Sequence, residues 1–391
     1  MVAVARTRSG MSSADVRRSN LALVLSQLHA DGVLSRSQLA ARTGLTRSAI
    51  QALVGALADE GLVSQSRATS DGSPGRPSAH VRPVAIAAVA IAAEIAVDTV
   101  TVATVGLGGA VVARTTVPRS RRASVDATVG QLVSAIEAAL AALAPSTRLV
   151  GIGVAVAGQV DRRTGAVSLA PNLGWRDVEL GERLRRRLGA TLGPDVVIRI
   201  GNEAQLGALA EHRRGAARGV DDVLYVAGEV GVGGGVILGG SLYAGSGGTA
   251  GEIGHFVVNA DGAPCRCGAD GCWETEVSEG ALLERAGRRA DGGRREVDEV
   301  VAAAAAGEEW ATAAMRETAR WVGVGVGSLC NVIDPELVVL GGWFTHAATS
   351  VLPGVIEAAQ SVALPAPRQH VRIVPAQLGD DASLLGAAEP R

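Results

Sequence analysis

The 391-residue sequence contains no lysine, so that arginine supplies all 37 of its basic residues other than histidine. It is also poor in aromatic residues, which make up 2% of the chain, whereas hydrophobic residues as a whole make up 47%. Sizeable cores built mainly of Ala, Val, Leu and Ile are therefore expected. Since single domains usually run to about 100–200 residues, the length predicts two or three of them.

Long apolar runs are missing as well. The longest, residues 83–93, is followed by Glu94. It is much shorter than the roughly 20 residues that a membrane-spanning helix needs. The N-terminus lacks the basic and then apolar pattern of a secretory signal with a cleavage site. These features predict a cytoplasmic protein that does not associate with a membrane.

Cysteine is scarce, and the four cysteines are too few for a disulfide scaffold in a chain of this length. Three of them, Cys265, Cys267 and Cys272, follow His255 in the pattern His-x9-Cys-x-Cys-x4-Cys. One histidine and three cysteines form a complete tetrahedral ligand set for structural zinc. The alternatives are a disulfide pair, or free buried thiols beside an unrelated histidine. Cys330 lies in an apolar stretch and is predicted to be a core residue.

Charge is unevenly distributed along the chain. The formal net charge at pH 7 is −2, yet residues 1–82 carry ten arginines against five aspartates and glutamates. The rest of the chain is therefore acidic. A basic N-terminal region on an acidic remainder suggests that this region binds a polyanion such as DNA.

The basic region has the pattern of a helix-turn-helix. Apolar residues at helical spacing predict a first helix over residues 20–29, and residues 35–42 predict a short second helix. A turn at residues 43–45 and an N-cap at Thr46 then predict a third helix from Arg47 to about residue 58. In this motif the later helix of the pair enters the major groove of DNA with its N-terminal end leading.

Four residues at the start of the third helix are predicted to contact operator DNA: Thr46, Arg47, Ser48 and Gln51. Arginine can pair with guanine and glutamine with adenine, while serine and threonine can contact phosphate or base. The Gly/Pro-rich residues 72–77 predict the tip of a β-wing, where Arg76 would contact the minor groove or the DNA backbone. The alternative is a generic three-helix bundle followed by a flexible linker.

Residues 83–391 alternate strand-like and helical segments. Eight strand-like runs, the first starting at residue 84, are separated by helical stretches, notably 125–144, 203–212 and 310–332. This alternation predicts an α/β architecture with largely buried sheets. About 310 residues exceed one compact core. Two lobes with a cleft are therefore expected, roughly 83–200 with the C-terminal end, and 201–370.

A specific string carries a family resemblance. It reads Gly-Glu-Ile-Gly-His over residues 251–255, then Cys-x-Cys-Gly-x-x-Gly-Cys-x-Glu over residues 265–274. This string resembles the zinc signature of the ROK family of repressors, open reading frames and kinases, and further similar strings extend over essentially the whole chain. The resemblance implies an actin-like sugar-kinase fold with sugar in the interlobe cleft. It divides the chain into a winged helix-turn-helix over residues 1–82 and a sugar-sensing body over 83–391, with the zinc motif at 255–272.

By this resemblance, seven residues of the body bind the sugar: Gly158, Asn172, Asn202, Glu203, Glu252, His255 and Glu274. Carboxylates suit a polyol because each can accept hydrogen bonds from two hydroxyls at once. His255 would offer one ring nitrogen to zinc and the other to a sugar hydroxyl. The alternative is that these carboxylates belong to solvated loops.

Phosphoryl transfer in the resembled family needs three motifs, and this sequence departs from all of them. Residues 94–98 read Glu-Ile-Ala-Val-Asp in place of Asp-x-Gly-Gly-Thr, and Glu203 replaces the catalytic aspartate. Glu229 and Val230 replace the Gly-Thr of the loop that holds ATP phosphates, which a carboxylate there would repel. The body is therefore predicted not to be an enzyme, and the retained glycines of residues 231–235 to be a structural relic.

Three functions are compatible with these patterns. The leading hypothesis is a sugar-responsive transcriptional repressor of carbohydrate uptake or catabolism, and resemblance to xylose-type repressors favours xylose as its effector. Two-fold operators would then imply a homodimer or a tetramer. The alternatives are an ATP-dependent, glucokinase-like sugar kinase that carries a DNA-binding head, and a zinc-stabilised scaffold that binds protein.

Overall fold

A computed structural model describes residues 12–66, 79–193 and 196–389 of the chain. Its N-terminal part consists of α1 (Ser13–Asp31), β1 (Leu34–Ser35), α2 (Arg36–Thr43), α3 (Arg47–Asp59), β2 (Val63–Ser66) and β3 (His80–Pro83). The strands pair in the order β1-β3-β2, and β2 runs antiparallel to β3. These two strands correspond to the sides of the predicted wing. Its predicted tip, with Arg76, lies outside the described residues.

Side-chain caps set the ends of the second and third helices. Oγ of Ser35 accepts a hydrogen bond from Gln38 N at 3.2 Å, and Ser35 N donates to Oε1 of Gln38 at 2.8 Å. This reciprocal capping box fixes the start of α2. Gly44, in the left-handed conformation at φ 70°, follows the last residue of α2. Oγ1 of Thr46 accepts from Ala49 N at 3.2 Å, which confirms the predicted N-cap of α3.

The first helix is longer than predicted. It begins at Ser13 rather than at residue 20, because Ser12 and Asp15 form a second capping box ahead of the apolar stretch. Oγ of Ser12 accepts a hydrogen bond from Asp15 N at 3.2 Å. The added residues 13–19 are exposed. The spacing of hydrophobic residues therefore could not predict that these residues are helical.

The body is built from thirteen strands and eleven helices among the described residues. Its strands are β4 (Ala88–Ile95), β5 (Thr99–Gly106), β6 (Val111–Pro118), β7 (Arg148–Val156), β8 (Gln159–Val160), β9 (Val167–Ala170), β10 (Trp175–Val178), β11 (Val197–Asn202), β12 (Val223–Gly228), β13 (Val232–Leu238), β14 (Ser241–Tyr243), β15 (Leu337–Gly342) and β16 (Arg372–Pro375). Its helices are α4 (Val125–Ala141), α5 (Leu180–Leu188), α6 (Glu203–Arg214), α7 (Trp273–Val277), α8 (Glu279–Arg285), α9 (Arg294–Ala305), α10 (Glu309–Ile333), α11 (Trp343–His346), α12 (Ala348–Val362), α13 (Pro365–His370) and α14 (Ala382–Ala388).

Two five-stranded sheets organise these elements. One has the strand order β11-β7-β4-β5-β6 and the other β14-β13-β12-β15-β16, with a small β10-β9-β8 sheet beside them. β7 and β11 run parallel, as do β12, β15 and β16, whereas β13 is antiparallel to β12. This mixed α/β arrangement confirms the architecture expected from the alternating pattern.

Each large sheet has its own hydrophobic core. The first sheet packs on α4 and α5 through a core that includes Ile91, Leu132, Val154, Leu184 and Ile200. The second packs on α10 and α12 through a core that includes Leu224, Met315, Val322, Val338 and Val355. Cys330 is 1% exposed in the second core, as predicted. The second sheet carries a further, smaller core on the side of α6, which includes Ala208, Tyr225 and Val339.

One local prediction was wrong. The first strand of the body begins at Ala88 rather than at residue 84, because a 3₁₀ turn occupies Ala85–Ala87. Residues 232–235 of the glycine-rich segment lie in β13, and Gly231 precedes this strand. A β-carbon on Gly233 would lie 2.7 Å from Cβ of Ala204. Glycine at this position therefore allows α6 to pack closely on β13.

Contacts along the chain divide it into two compact units. The first contains the described residues up to Val89, together with 105–112 and 144–148, and the second contains the others. Among the residues that the structure describes, every helix is too short or too polar to span a membrane.

Candidate functional site

The four predicted metal ligands converge. The ligand atoms of His255, Cys265, Cys267 and Cys272 all lie within 4.8 Å of one another. Nδ1 of His255 is 3.6 Å from Sγ of Cys265, and the sulfurs of Cys267 and Cys272 are also 3.6 Å apart. Zinc with bonds of about 2.3 Å to sulfur would hold tetrahedral ligand atoms about 3.8 Å apart. Both the donor set and its spacing fit zinc, and all four cysteines of the chain are free thiols.

Tight turns bring these ligands together. His255 ends the 3₁₀ turn Ile253–His255, and Cys272 is the N-cap residue of α7. Between the ligands, Gly268 and Gly271 adopt φ values of +101° and +68°. These values are costly for residues that have a β-carbon. A β-carbon on Gly271 would also lie 1.6 Å from the carbonyl oxygen of Asn259. The loop can therefore fold back on itself only with glycine at this position.

The residue after Cys272 attaches the metal loop to the second core. Trp273 is fully buried, and its Nε1 donates a hydrogen bond to the carbonyl oxygen of Trp321 at 2.9 Å. Its ring fills the space left by the missing side chain of Gly325, where a β-carbon would lie 2.1 Å from Cε2 of Trp273. The position of the last metal ligand is therefore fixed by the packing of α7 on α10.

Two predicted sugar ligands lie directly beside the metal cluster. Nε2 of His255 is 4.0 Å from Oε2 of Glu252, while its Nδ1 faces the thiols. The other carboxylate, Glu274, has Oε1 at 3.0 Å from Sγ of Cys265 and at 3.7 Å from Nδ1 of His255. Burial raises the pKa of Glu252, and the nearby His255 opposes that effect. The ring of His255 therefore stands between the thiols and Glu252, which is compatible with its predicted double role.

Asn202 and Gly158 form a second predicted group. Nδ2 of Asn202 donates to the carbonyl oxygen of Gly158 at 3.0 Å, and its Oδ1 accepts from Gln205 N at 3.0 Å. Asn202 thus caps α6 and ties the end of β11 to the turn at Gly158. Glu203 follows as the first residue of α6.

A cavity with a volume of about 280 Å³ contains Asn172 and Glu203 in its wall. Six carboxylic acids and one arginine line it: Glu94, Asp98, Glu203, Glu229, Glu279, Asp380 and Arg294. Gly158, Asn202, Glu252 and His255, all within the described residues, line neither this cavity nor the neighbouring one described below. The wall thus offers many carboxyl oxygens to a ligand that donates hydrogen bonds.

Burial changes the protonation of the acids in this cavity. Burial, reinforced by the nearby Glu94 and Glu252, raises the pKa of Glu203 to about 8. Burial also raises the pKa of Glu229 well above its usual value, and the nearby Arg294 opposes that effect. Glu203 therefore carries a proton at neutral pH. A protonated carboxyl group can donate as well as accept a hydrogen bond.

Replacing Glu203 by glutamine is expected to reduce the loss of folding stability that accompanies a rise in pH above neutrality. The unfolded chain loses the Glu203 proton near pH 4.5, whereas the folded protein retains it up to about pH 8. The folded state binds more protons in this window, so its stability falls as the pH rises. Between pH 6 and pH 9 the fall attributable to this group is about 2–3 kcal/mol.

Urea unfolding of both proteins at pH 6 and pH 9 measures this difference. Glu137→Gln, which alters an exposed glutamate of α4, is the matched control and should follow the wild type. Equal losses of stability in the wild type and Glu203→Gln would show that Glu203 ionises normally.

No pattern in the sequence predicts a role for Arg294. Its guanidinium contacts Oε2 of Glu229 at 3.3 Å, Oε1 of Glu279 at 3.4 Å and Oδ1 of Asp380 at 3.0 Å. Glu229, which replaces a residue of the ATP-phosphate loop in the resembled family, therefore forms an ion pair within the protein. No sequence signal links these residues, because Arg294 and Glu229 are 65 positions apart. Arg266 was missed as well, although it lies inside the metal motif.

The predicted DNA-contacting residues lie together on the surface of α3 and at its N-cap. Thr46, Arg47, Ser48 and Gln51 are all exposed. The opposite face is buried in the N-terminal core through Ile50, Leu53, Val54 and Leu57. The helix thus presents its first turn to solvent, as a recognition helix must.

Comparison with known proteins matches both parts of the chain. Residues 90–389 match the ROK family, and residues 22–64 match a winged helix-turn-helix DNA-binding family. The xylose repressor of Bacillus spizizenii is 27% identical over 377 residues, which cover 95% of this chain and 94% of that protein. The glucokinase of Streptomyces coelicolor is 30% identical over 275 residues, which cover 66% of this chain and 85% of that enzyme.

A solved structure supports the fold over the same length. The crystal structure of a ROK family transcriptional regulator, a homologue of the E. coli MLC protein, has a TM-score of 0.73 at 23% identity and covers 95% of both chains. The predicted fold class is thus confirmed: an actin-like sugar-kinase body of α/β type with an N-terminal winged helix-turn-helix. Because the family match spans far more than half of the sequence, the chain belongs to the ROK family.

Proposed function

We propose that this protein is a sugar-responsive, DNA-binding transcriptional regulator that represses genes of carbohydrate uptake or catabolism. One observation carries the proposal: a winged helix-turn-helix and a ROK body occur in one chain, and 95% of this chain is similar to a xylose repressor. The division at residues 82 and 83, the two lobe boundaries and the cytoplasmic location stay predictions.

The DNA-binding part of the proposal rests on α3. Its exposed residues Thr46, Arg47, Ser48 and Gln51 would contact operator DNA, together with Arg76 of the wing. Two-fold operators need two heads at a fixed spacing, so we propose a homodimer or a tetramer. A sugar would change DNA affinity only if it binds one arrangement of the protein better than another.

The sugar would lie between the metal loop and the acidic cavity. Glu252, His255 and Glu274 would accept hydrogen bonds from its hydroxyls on the metal side, and Glu203 and Asn172 would contact it from the cavity. Gly158 and Asn202 would shape and position this pocket. Four residues, His255, Cys265, Cys267 and Cys272, would hold structural zinc. The bound ion would supply the charge that keeps the buried thiols ionised and the loop ordered.

The body is proposed to be catalytically inactive. Arg294 is held by Glu229, Glu279 and Asp380 rather than being available to a nucleotide. The 30% identity to a glucokinase supports the second candidate, an ATP-dependent sugar kinase with a DNA-binding head. Glu203 could serve as a base in that case.

Fluorescence anisotropy of the zinc-loaded protein on its own upstream DNA, at fixed salt, tests the proposal. We expect tight binding that one of D-xylose, D-glucose and N-acetyl-D-glucosamine weakens. Binding that no sugar affects would contradict the sugar response, and absence of binding would contradict the regulator itself. Sugar-dependent release of ADP from ATP would establish the kinase instead.

A further inference from the structure

The metal loop makes one polar contact with the opposite wall of the sugar pocket. Arg266, between two metal ligands, donates from its NH1 to Oδ1 of Asn172 at 2.9 Å. Asn172 belongs to the 3₁₀ turn Pro171–Leu173, far away in the sequence. It lines the cavity described above and a second one, of about 310 Å³, whose wall also contains Arg266 and Glu274. The contact therefore joins two parts of the chain that face the same space.

This contact decides which end of the Asn172 amide faces the ligand. An amide can offer a neighbour either its oxygen, an acceptor, or its NH₂ group, a donor. A guanidinium can only donate hydrogen bonds. The amide of Asn172 must therefore turn its oxygen, Oδ1, towards Arg266. Nδ2 of Asn172 is then directed away from Arg266 and towards Gly231, where an added β-carbon would lie 3.1 Å from it.

Glu274 converges on the same point. A β-carbon on Gly231 would lie 2.6 Å from Oε2 of Glu274 as well as 3.1 Å from Nδ2 of Asn172. A donor, Nδ2 of Asn172, and an acceptor, Oε2 of Glu274, therefore both lie close to Gly231. A sugar hydroxyl can accept one hydrogen bond and donate another, so this pair matches a single hydroxyl.

We propose that Arg266 is a specificity-determining positioning residue of the sugar site. By holding Oδ1 of Asn172, it keeps that side chain a donor beside the Glu274 acceptor and so selects a ligand with a hydroxyl at this position. The inference rests on the proposed sugar response and deepens it.

The same geometry makes sugar recognition dependent on the metal loop. Arg266 is flanked by Cys265 and Cys267, and Cys267 N lies 3.5 Å from Sγ of Cys265. Disorder of this loop would remove the guanidinium from Asn172 and free the amide to turn over. The loop would then act on the pocket through Arg266 in addition to the His255 ring.

A double-mutant cycle tests the inference. Isothermal titration of the zinc-loaded full chain measures the affinity of D-xylose, D-glucose and N-acetyl-D-glucosamine for the wild type, Arg266→Met, Asn172→Ala and the double variant. Methionine preserves the length of the side chain but donates no hydrogen bond. We expect Arg266→Met to weaken the preferred sugar roughly tenfold. In the Asn172→Ala background the same change should have no further effect, because Arg266 acts through Asn172.

Deoxy analogues of the preferred sugar provide the second readout. The wild type should discriminate strongly against the analogue that lacks one particular hydroxyl, and Arg266→Met should lose that discrimination. Arg163→Met, which alters a side chain that is 85% exposed, is the matched control and should bind as the wild type does. Zinc content is measured for each variant.

The possible outcomes distinguish a failure of the role inferred for Arg266 from a failure of the proposed sugar response. If no sugar binds the wild type, the proposed sugar response is wrong and the inference falls with it. If the wild type binds a sugar and Arg266→Met binds it equally well, only the inference is wrong. An equal loss of affinity with and without Asn172 would also overturn it. Should Arg266→Met lose zinc, Arg266→Lys must retain both zinc and discrimination, since lysine still donates to Oδ1.

Discussion

Replacing Cys267 by serine is expected to abolish zinc binding and to lower the melting temperature by about 10 °C or more. The variant removes one of four converging ligands, and three ligands hold structural zinc much less tightly. Cys267 is the exposed member of the cluster, so serine there leaves no unsatisfied hydroxyl in a core. Loss of the metal is then the only large effect of the substitution.

Elemental analysis of the purified protein and thermal unfolding with and without a chelator measure this effect. Cys330→Ser is the matched control, because it alters a buried cysteine of α10 that lies outside the cluster. That variant should retain one zinc ion per chain even if its stability falls. A Cys267→Ser protein with wild-type zinc content and melting temperature would contradict the proposed site.

Replacing Arg47 and Gln51 together by alanine is expected to weaken binding to the operator by about 100-fold or more. Each side chain can make a two-point contact with a base, and each such contact contributes about 1–3 kcal/mol to discrimination. Both side chains are exposed and α3 is anchored by its buried face, so the change should leave the fold intact. Binding to unrelated DNA, which depends on phosphate contacts, should fall much less.

Anisotropy titrations with operator and with scrambled DNA of equal length measure this loss of specificity. Arg163→Ala is the control for the loss of one positive charge, since its side chain is 85% exposed and lies outside the winged helix. Unchanged preference for the operator in the double variant would mean that other residues read the bases. A parallel loss on both DNAs would assign the two residues to the backbone instead.

The features predicted best from the sequence are those that depend on residues close to one another along the chain. The N-cap at Thr46 follows from local chemistry, and the structure confirms it. The convergence of the four candidate metal ligands was also predictable, because their spacing and type leave few other uses for them. The start of α1 was missed, although Ser12 and Asp15 carry a capping-box signal in the sequence.

Contacts between distant residues could not be predicted. Arg266 and Asn172 are 94 positions apart, and Arg294 and Glu229 are 65 apart. Such pairs exist only because the fold brings separate turns to one space. The roles of glycine were similarly hidden: the sequence shows that Gly231 has no side chain, but only the fold shows that Glu274 and Asn172 both approach it.

Three consecutive residues, Cys272, Trp273 and Glu274, each have a different structural role. The first belongs to the metal cluster, the second fills the space above Gly325, and the third faces the proposed ligand. In evolutionary terms, this short stretch should tolerate almost no drift, because a change that suits one role disturbs the other two. A lineage that altered its preferred sugar would therefore vary residues on the opposite wall, such as Asn172, while this triplet stayed fixed.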